Sequence, residues 1–403
     1  MMPPRILAVF MLVILFTASA TNVVAKREIN KGATGDRLIV KWKEGTDSLI
    51  GNDIGGDTGR PHGGRFKSSR KLSHRLRLDL VDLESGVDPQ EALQELLDSG
   101  LVESAELDAE VSIDLTPDDA RFDELWGMQT IEAELAWDAT TGSDDVIVCV
   151  VDTGVNYAHP DLADNMWVNE AERDGLPGVD DDGNGYIDDV YGWDAHNNDG
   201  DPDDDNSHGT HCSGTVGARG GNAIGVVGVA HNVKIMACKF LDDSGSGSTS
   251  GAITCIDYCA TNGAHIASHS WGGGSYSTAL KTALDNSDYM LHVAAAGNDG
   301  EDADLNPHYP SSYDTPHLIS VASTTSTDAM SSFSNWGVAS VDMGAPGSSI
   351  LSTVLGTAYG YSSGTSMATP HVAGAAALML AKNPSLSPLE LKHILLDSGD
   401  PIA

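Results

Sequence analysis

Short apolar runs alternate with longer segments of helical pattern through the last two thirds of the chain. The runs predict strands at 146–151, 233–240, 265–270, 290–296 and 317–323. The longer segments predict helices at 208–218, 249–261, 278–286, 365–380 and 387–396. Strands that alternate with helices form a parallel sheet covered on both faces. We therefore predict an α/β fold of three layers around a mostly parallel central sheet.

The N-terminal residues carry a different pattern. A single basic residue, Arg5, precedes an unbroken apolar run at 6–16, and the small residues Ala18-Ser19-Ala20 follow it. This order is typical of a secretory signal peptide, and the run is too short to span a membrane as a helix. We assign residues 1–25 to a signal peptide that is cleaved after Ala20 or Ala25.

A small α+β module is predicted after this leader. Its extended segments are 37–42, 75–81 and 101–107. Its helix begins after Asp88, an N-cap residue that is followed by Pro89 and by an acid, Glu91, at the third helical position. Gly100 ends this helix.

The boundaries of the module rest on composition. The basic tract 60–77 is read either as a solvated loop or as a surface for electrostatic docking onto the acidic remainder of the chain. Pro117 and its acidic neighbours form an exposed linker, which we expect to contain a maturation cleavage site. We therefore divide the chain into residues 26–115 and 116–403.

Charge is distributed unevenly over the 403 residues. The net charge is −37, and residues 118–403 hold 41 Asp and Glu against eight Lys and Arg. An acidic surface repels the phosphates of nucleic acids and of anionic lipids. The composition argues against nucleic acid or a membrane as a partner and fits a secreted, extracellular protein, which we expect to be a monomer.

All five cysteines lie in the large unit. Cys149 and Cys238 fall within predicted strands, whereas Cys255 and Cys259 are four residues apart on a predicted helix and are poorly placed to bridge each other. The odd number leaves at least one thiol unpaired in a monomer. We interpret these four as small buried hydrophobic residues rather than as a metal site.

Four polar motifs lie at the ends of the predicted elements. Asp152 ends a strand in VVDTG, His208 opens a helix in SHGTH, Asn298 follows a strand in AAAGN, and Ser366 precedes a buried helix in GTSMATPH. A lone serine at a helix start is usually an N-cap. Together the four residues supply the acid, base, amide donor and hydroxyl that nucleophilic catalysis needs.

These motifs resemble those of the subtilisin-like serine proteases, the subtilases, over residues 126–396. The chain order Asp, His, Ser is the one known in subtilisin. The resemblance implies that His208 takes the proton of Ser366, that Asp152 orients the imidazole, and that Asn298 and the Ser366 amide stabilise the oxyanion. The module 26–115 resembles the propeptide of the family, which acts as an intramolecular inhibitor and chaperone.

The resemblance also implies where polypeptide substrates bind. The segment Ser270-Trp271-Gly272-Gly273 resembles the edge strand that pairs with an extended peptide, and Gly245 and Gly247 resemble the strand on its other side. Main-chain pairing accepts many sequences, while pockets select side chains. Small walls at Gly272, Gly273, Ala295 and Gly297 leave room for a large P1 residue, the one before the scissile bond.

Two segments predict Ca²⁺ sites. The first resembles the tight calcium loop of the family, with side-chain ligands Asp161 and Asn222 and carbonyl ligands that include Ile224 and Val226. The second is the acidic loop 180–188, which places oxygens around glycines as hard cations require. Its candidate ligands are Asp180, Asp182, Asn184 and Asp188. Such a loop is otherwise only a solvated acidic surface.

Cys212 follows His208 by four residues on the same predicted helix. Residues four apart share a helix face, so the thiol should lie beside the imidazole. We expect it to be a buried packing residue rather than a nucleophile.

The sequence as a whole predicts a secreted, calcium-stabilised serine endopeptidase of broad specificity that is made as a zymogen. Two alternatives remain open at this point. One is a processing protease of narrow specificity, and the other is a catalytically silent calcium-binding protein on the same fold.

Overall fold

A computed structural model describes residues 5–6, 33–43, 65–109 and 116–401. The chain divides into two compact units, one of residues 16–113 and one of residues 1–15 with 114–403. Most of the predicted signal peptide lies outside the described residues, as do 60–64 of the basic tract. The backbone of Arg5–Ile6 (β1) forms a two-residue strand beside Met343 and Gly344.

The smaller unit is an antiparallel sheet with one helix. Its elements are β2 (Ala33–Trp42), β3 (Phe66–Ser73), β4 (Leu78–Leu83), α1 (Pro89–Asp98) and β5 (Val102–Ala109), with sheet order β3-β4-β2-β5. Asp88 caps α1 as predicted, since its side chain accepts the amides of Gln90 and Glu91. Buried Leu38, Trp42 and Leu96 belong to a separate small core.

The basic tract contains a strand, which the sequence did not suggest. Residues 66–73 form β3 and pair with β4, so both readings of this segment as a loop or docking surface were incomplete. The Lys71 ammonium lies 2.7 Å from the buried Asp79 carboxylate, and the Arg65 guanidinium lies 2.9 Å from Glu91. Part of the positive charge is therefore paired within the small unit.

The larger unit contains the remaining elements. Its strands are β6 (Gly142–Asp152), β7 (Gly192–Asp194), β8 (Asn232–Lys239), β9 (Ile266–His269), β10 (Leu291–Ala295), β11 (Leu318–Thr324), β12 (Met343–Pro346), β13 (Ile350–Thr353), β14 (Tyr359–Ser362) and β15 (Asp400–Pro401). Its helices are α2 (Trp126–Thr130), α3 (Ala133–Trp137), α4 (Glu170–Asp174), α5 (His208–Gly217), α6 (Thr249–Thr261), α7 (Thr278–Asn286), α8 (Thr365–Lys382) and α9 (Pro388–Ser398).

Seven parallel strands form the centre of the fold, in the order β7-β8-β6-β9-β10-β11-β12. Alternate residues of a strand point to opposite faces. Val148 and Val150 of β6 accordingly belong to the core that includes α5 and α8, whereas Cys149 and Val151 belong to the core that includes α6 and α7. The predicted three-layer α/β fold is confirmed.

The long helix α8 lies against the middle of the sheet, and nearly all of its residues are buried. It is therefore apolar on all sides, as expected for a helix enclosed by protein. In the described part of the chain, no helix is long and apolar enough to cross a membrane.

Four of the five cysteines are buried as predicted but form disulfides, which their interpretation as small hydrophobic residues did not include. Cys149 of β6 pairs with Cys259, and Cys238 of β8 pairs with Cys255. Cys255 and Cys259 are one turn apart and share a face of α6, while β6 and β8 are neighbours in the sheet. Each thiol therefore meets a partner on a different strand. Cys212 is free and buried.

Candidate active site

Asp152 and His208 meet at the carboxyl end of the sheet. Asp152 is the last residue of β6 and is fully buried, whereas His208 is the first residue of α5 and its side chain is 30% exposed. The imidazole Nδ1 lies 2.7 Å from Asp152 Oδ1. Burial lowers the pKa of His208, but the carboxylates of Asp152 and Asp204 outweigh this effect and raise it overall.

Ser366 lies in the first turn of α8, where the amides at the start of a helix have no partner within the helix. Its hydroxyl donates a 2.9 Å hydrogen bond to the carbonyl of Ser270. The Ser270 hydroxyl in turn donates to the carbonyl of Ser366 at 2.9 Å. These reciprocal bonds join the start of α8 to the segment that follows β9.

Asn298 is oriented by the residue before Ser366. Its side-chain oxygen accepts hydrogen bonds from the Thr365 amide at 2.8 Å and from the Thr365 hydroxyl at 3.1 Å. Because the oxygen is engaged in this way, the amide group of Asn298 remains a donor. The structure thus brings the predicted amide donor to the start of the serine helix.

Cys212 lies beside the Asp152–His208 pair. Its sulfur and one ligand atom of each of these residues lie within 4.8 Å of one another. The thiol also lies 3.4 Å from the carbonyl of Ser366. Burial raises the pKa of Cys212 well above its usual value, so the thiol remains neutral.

The two segments predicted to bind substrate lie near Ser366 and His208. Ser270 to Gly273 directly follow β9 in the chain, and Trp271 packs edge-on against Phe240 with ring centroids 4.8 Å apart. Gly245 and Gly247 belong to a turn in which Leu241 bridges Gly247. Asn206, two residues before His208, donates to the Asp243 carbonyl of this turn at 2.9 Å.

The ring of His308 lies against Gly272 and Gly297, two of the small residues that the sequence predicts as walls of the P1 pocket. A methyl group placed on Gly272 would lie 2.0 Å from the ring carbon Cε1, and one placed on Gly297 would lie 2.9 Å from Cδ2. The imidazole is therefore packed between both glycines, where the sequence suggested room for a large side chain. Burial lowers the pKa of His308.

The first predicted calcium loop gathers around Asp161, which is fully buried. Asn222 Nδ2 donates to Asp161 Oδ1 at 2.7 Å, and the Val226 amide donates to Oδ2 at 3.0 Å. The Ile224 amide donates to the Asn222 oxygen at 3.0 Å.

Asp119 also lies beside this loop, although no motif in the sequence marked it. Its carboxylate is 5% exposed and accepts the Gly221 amide through Oδ2, while its buried Oδ1 has no hydrogen-bond partner among the described residues. Burial and the charge of Asp161 raise the pKa of Asp119. A buried carboxylate oxygen without a donor is what a cation site provides, so these residues fit a Ca²⁺ ion.

The acidic loop brings Asp180 and Asp182 together with Glu172 of α4, which sequence analysis also missed. One oxygen of each of the three lies within 4.8 Å of the others. Asn184 donates to Asp182 at 3.2 Å and stays in this group. Asp188 instead accepts the Gly178 amide through both oxygens, at 2.8 and 3.0 Å.

The sequence model of the subtilase family, described as Peptidase_S8, matches residues 143–400. Thermitase of Thermoactinomyces vulgaris is 41% identical over 276 residues, which are 68% of this chain and 88% of the relative. A thermophilic serine proteinase of Bacillus sp. is 36% identical, over 75% of this chain and 69% of the relative.

Other relatives are longer than this chain. Subtilisin-like protease 1 of Plasmodium berghei is 36% identical over 68% of this chain, and the matched part is 49% of that relative. The chain thus spans about half the length of this relative, and 39% of its Plasmodium falciparum counterpart.

Solved structures agree. A cold-adapted subtilisin-like serine proteinase superposes with a TM-score of 0.54 at 35% identity, over 74% of this chain and 89% of that one. A protease of Pseudoalteromonas arctica superposes with a TM-score of 0.60 at 30% identity, over 70% and 92%. The chain therefore belongs to the subtilase family.

Proposed function

We propose that this protein is a serine endopeptidase in which Ser366 attacks the peptide carbonyl. The observation that carries the proposal is the 2.7 Å bond between His208 and buried Asp152. Their neighbour Cys212 also contacts the carbonyl of Ser366 at the start of α8. Asp152 fixes the tautomer in which the other ring nitrogen, Nε2, is free to accept a proton. This is the arrangement that a general base needs.

In the proposed reaction the Ser366 hydroxyl turns from the Ser270 carbonyl to Nε2 of His208. The imidazole accepts the proton as the oxygen attacks the carbonyl, and it then gives the proton to the leaving amine. The Ser366 amide and the side-chain amide of Asn298, held by Thr365, donate to the oxyanion. Loss of one such donor costs roughly 10²–10³ in kcat.

The direct test is a serine-directed fluorophosphonate, applied to the purified protein and followed by peptide mapping. We expect one stoichiometric adduct, on Ser366. A protein that binds Ca²⁺ but takes up no label would be the catalytically silent alternative.

The position of His308 supports a restricted P1 pocket within an otherwise broad specificity. Its ring lies between Gly272 and Gly297, next to the two segments that carry the Ser270 carbonyl and Asn298. A side chain that enters between these walls meets the imidazole. We therefore assign small P1 residues, such as alanine and serine, as the preferred substrates.

Replacing His308 with glycine should open this pocket. We expect the kcat/KM ratio of phenylalanine to alanine at P1 to rise by about tenfold or more, since each methylene accommodated in a pocket is worth roughly 10–200-fold. The measurement is a P1 series in an otherwise constant peptide. His308→Phe, which keeps the bulk, should keep the preference for alanine. A parent enzyme that cleaves after phenylalanine as fast as after alanine would contradict the assignment.

Calcium is proposed as a stabilising ligand at two places. Asp119, Asp161 and Asn222 would hold one ion, and Glu172, Asp180 and Asp182 would hold another. The ion supplies positive charge that offsets repulsion among carboxylates. Asp188, which is bound to Gly178, is a less favoured ligand than the sequence suggested.

Chelation of Ca²⁺ should lower the melting temperature. Ligand linkage amounts to about 2.7 kcal/mol at a hundredfold excess over Kd. With an unfolding entropy of about 2.1 cal/mol/K per residue, this is roughly 4–5 °C for a unit of this size. Calorimetry on Ser366→Ala avoids self-digestion. Asp119→Asn and Asp180→Asn should each remove part of the calcium response, which separates the two sites. Equal melting temperatures with and without chelator would exclude both.

Secretion and synthesis as a zymogen complete the proposal. The signal pattern at 1–25 and two disulfides in the large unit support an oxidising, extracellular setting. The small α+β unit of residues 16–113 supports a propeptide that inhibits the enzyme until it is cleaved. Narrow-specificity processing is distinguished by a peptide-library profile with requirements beyond P1.

A further inference from the structure

Asp204 is a buried carboxylate in the loop before α5, and it is only 6% exposed. It accepts five hydrogen bonds from described residues. Oδ1 accepts from the Thr153 hydroxyl at 2.9 Å and from the amides of Asn206 and Ser207 at 2.9 and 3.0 Å. Oδ2 accepts from the amide and hydroxyl of Thr210 at 3.0 and 2.6 Å. Both oxygens of the carboxylate are thus held by donors from the end of β6, from the loop and from the first turn of α5.

These donors come from both sides of the catalytic pair. Thr153 directly follows Asp152, and its amide donates to Asp152 Oδ1 at 2.7 Å. The same threonine accepts the Gly209 amide through its hydroxyl oxygen at 2.9 Å. Through these hydrogen bonds, the Asp204 carboxylate connects the end of β6 to residues before and after His208.

A second buried charge supports the same loop. Lys239 is 1% exposed, and its backbone lies opposite that of Asp152 in the register of β8 against β6. Its ammonium donates to the carbonyls of Thr153 and Leu241, both at 2.8 Å, and to Asp205 at 2.7 Å. The loop is thus fixed relative to the sheet independently of His208, which makes it a rigid support.

We propose that Asp204 positions His208 against Asp152 and places a second negative charge near the imidazolium that forms during the reaction. The proposal rests on the endopeptidase function above. Asp204 touches neither substrate nor the reacting atoms and is a positioning residue. Its predicted effects are a lower kcat and a shifted pH dependence when the charge is removed.

The groups around His208 fix the sign of that shift. Asp152 and Asp204 both raise the pKa of His208. On α5 itself, burial lowers the pKa of His211 to about 4 and raises that of Cys212, so both are neutral near pH 7. The charge of Lys239 is paired with Asp205. Since the base must be neutral, activity falls as pH drops through the pKa of His208, and loss of Asp204 moves this limb to lower pH.

The test compares Asp204→Asn with the parent across pH, using a soluble peptide substrate. We expect kcat to fall by roughly 10–100-fold, since a displacement of about 1 Å can cost 10²-fold, while KM stays near the parent value. The acid limb should move to lower pH, because the charge of Asp204 no longer raises the pKa of His208. Asp203→Asn, the same charge change at an exposed neighbour, should retain the parent kcat.

Two results would overturn the proposal. One is a folded Asp204→Asn enzyme with the parent kcat and pH profile. If that variant fails to fold, Thr153→Val replaces it in the test, because this change removes only the hydroxyl that links Asp204 to the end of β6. Thr153→Val should lower kcat without moving the acid limb. A kcat equal to that of the parent would be the second contradicting result. A parent that cleaves no peptide would instead refute the endopeptidase function, and the Asp204 proposal with it.

Discussion

Replacing Ser366 with alanine is expected to lower kcat by about 10⁶-fold, the order of loss found for the nucleophile of subtilisin, a member of the same family. The variant retains the Asp152–His208 pair and the Asn298 donor, so the fold and the site geometry should persist. Residual hydrolysis comes from the oxyanion donors and binding alone. The measurement is kcat on a peptide substrate after purification to homogeneity.

The matched control is Ser363→Ala, a serine three residues earlier whose hydroxyl oxygen accepts the Ser349 amide within the described part of the chain. It should retain the parent kcat. The Ser366 variant should also keep residues 26–115 attached if maturation is self-catalysed. Full activity of Ser366→Ala would contradict the assignment of Ser366 as the nucleophile. An inactive variant that is nevertheless processed normally would show that another protease cleaves the precursor.

Of the two disulfides, Cys149–Cys259 is expected to contribute more to the free energy of unfolding. It closes a segment of 110 residues, whereas Cys238–Cys255 closes 17. Loop entropy gives about 4.7 kcal/mol for 100 residues and about 3 kcal/mol for 15, with typical values of 2–4. Paired Cys→Ala variants in the Ser366→Ala background should therefore unfold at lower urea concentrations, and the long loop should cost more.

A thiol count provides the independent check. The denatured but unreduced protein should react with one equivalent of a thiol reagent, through Cys212, and with five after reduction. A count of five before reduction would show that the disulfides do not form. Cys212→Ala, which breaks no cross-link, is the control for loss of a buried sulfur.

The sequence predicted the elements well where caps and periodicity are local. Helices α6 and α7 have the predicted bounds because Ser248 and Ser277 cap them, each accepting an amide three residues later. The five predicted core strands are all present. Asp152 and His208 lie within hydrogen-bond distance because strand and helix ends place them at one edge of the sheet.

What the sequence could not supply are contacts between distant segments. The disulfide partners depend on which strands are neighbours, and that is not encoded in cysteine spacing. Asp119 and Glu172 approach their loops from other parts of the chain, so no local motif marked them. His308 was missed for the same reason, since it reaches the glycine walls from a separate turn.

The parallel order around β6 has a kinetic consequence. This strand lies between β8 and β9, both of which follow it along the chain after long crossovers. Pairing of strands that are distant in sequence requires the chain to lose the entropy of large loops before stabilising contacts form. Folding of such a sheet is therefore slow. A high barrier also slows the reverse step. In a solution of active protease, where cleavage outpaces reclosing, the lifetime of each molecule is then set by how rarely its sheet opens rather than by its equilibrium stability.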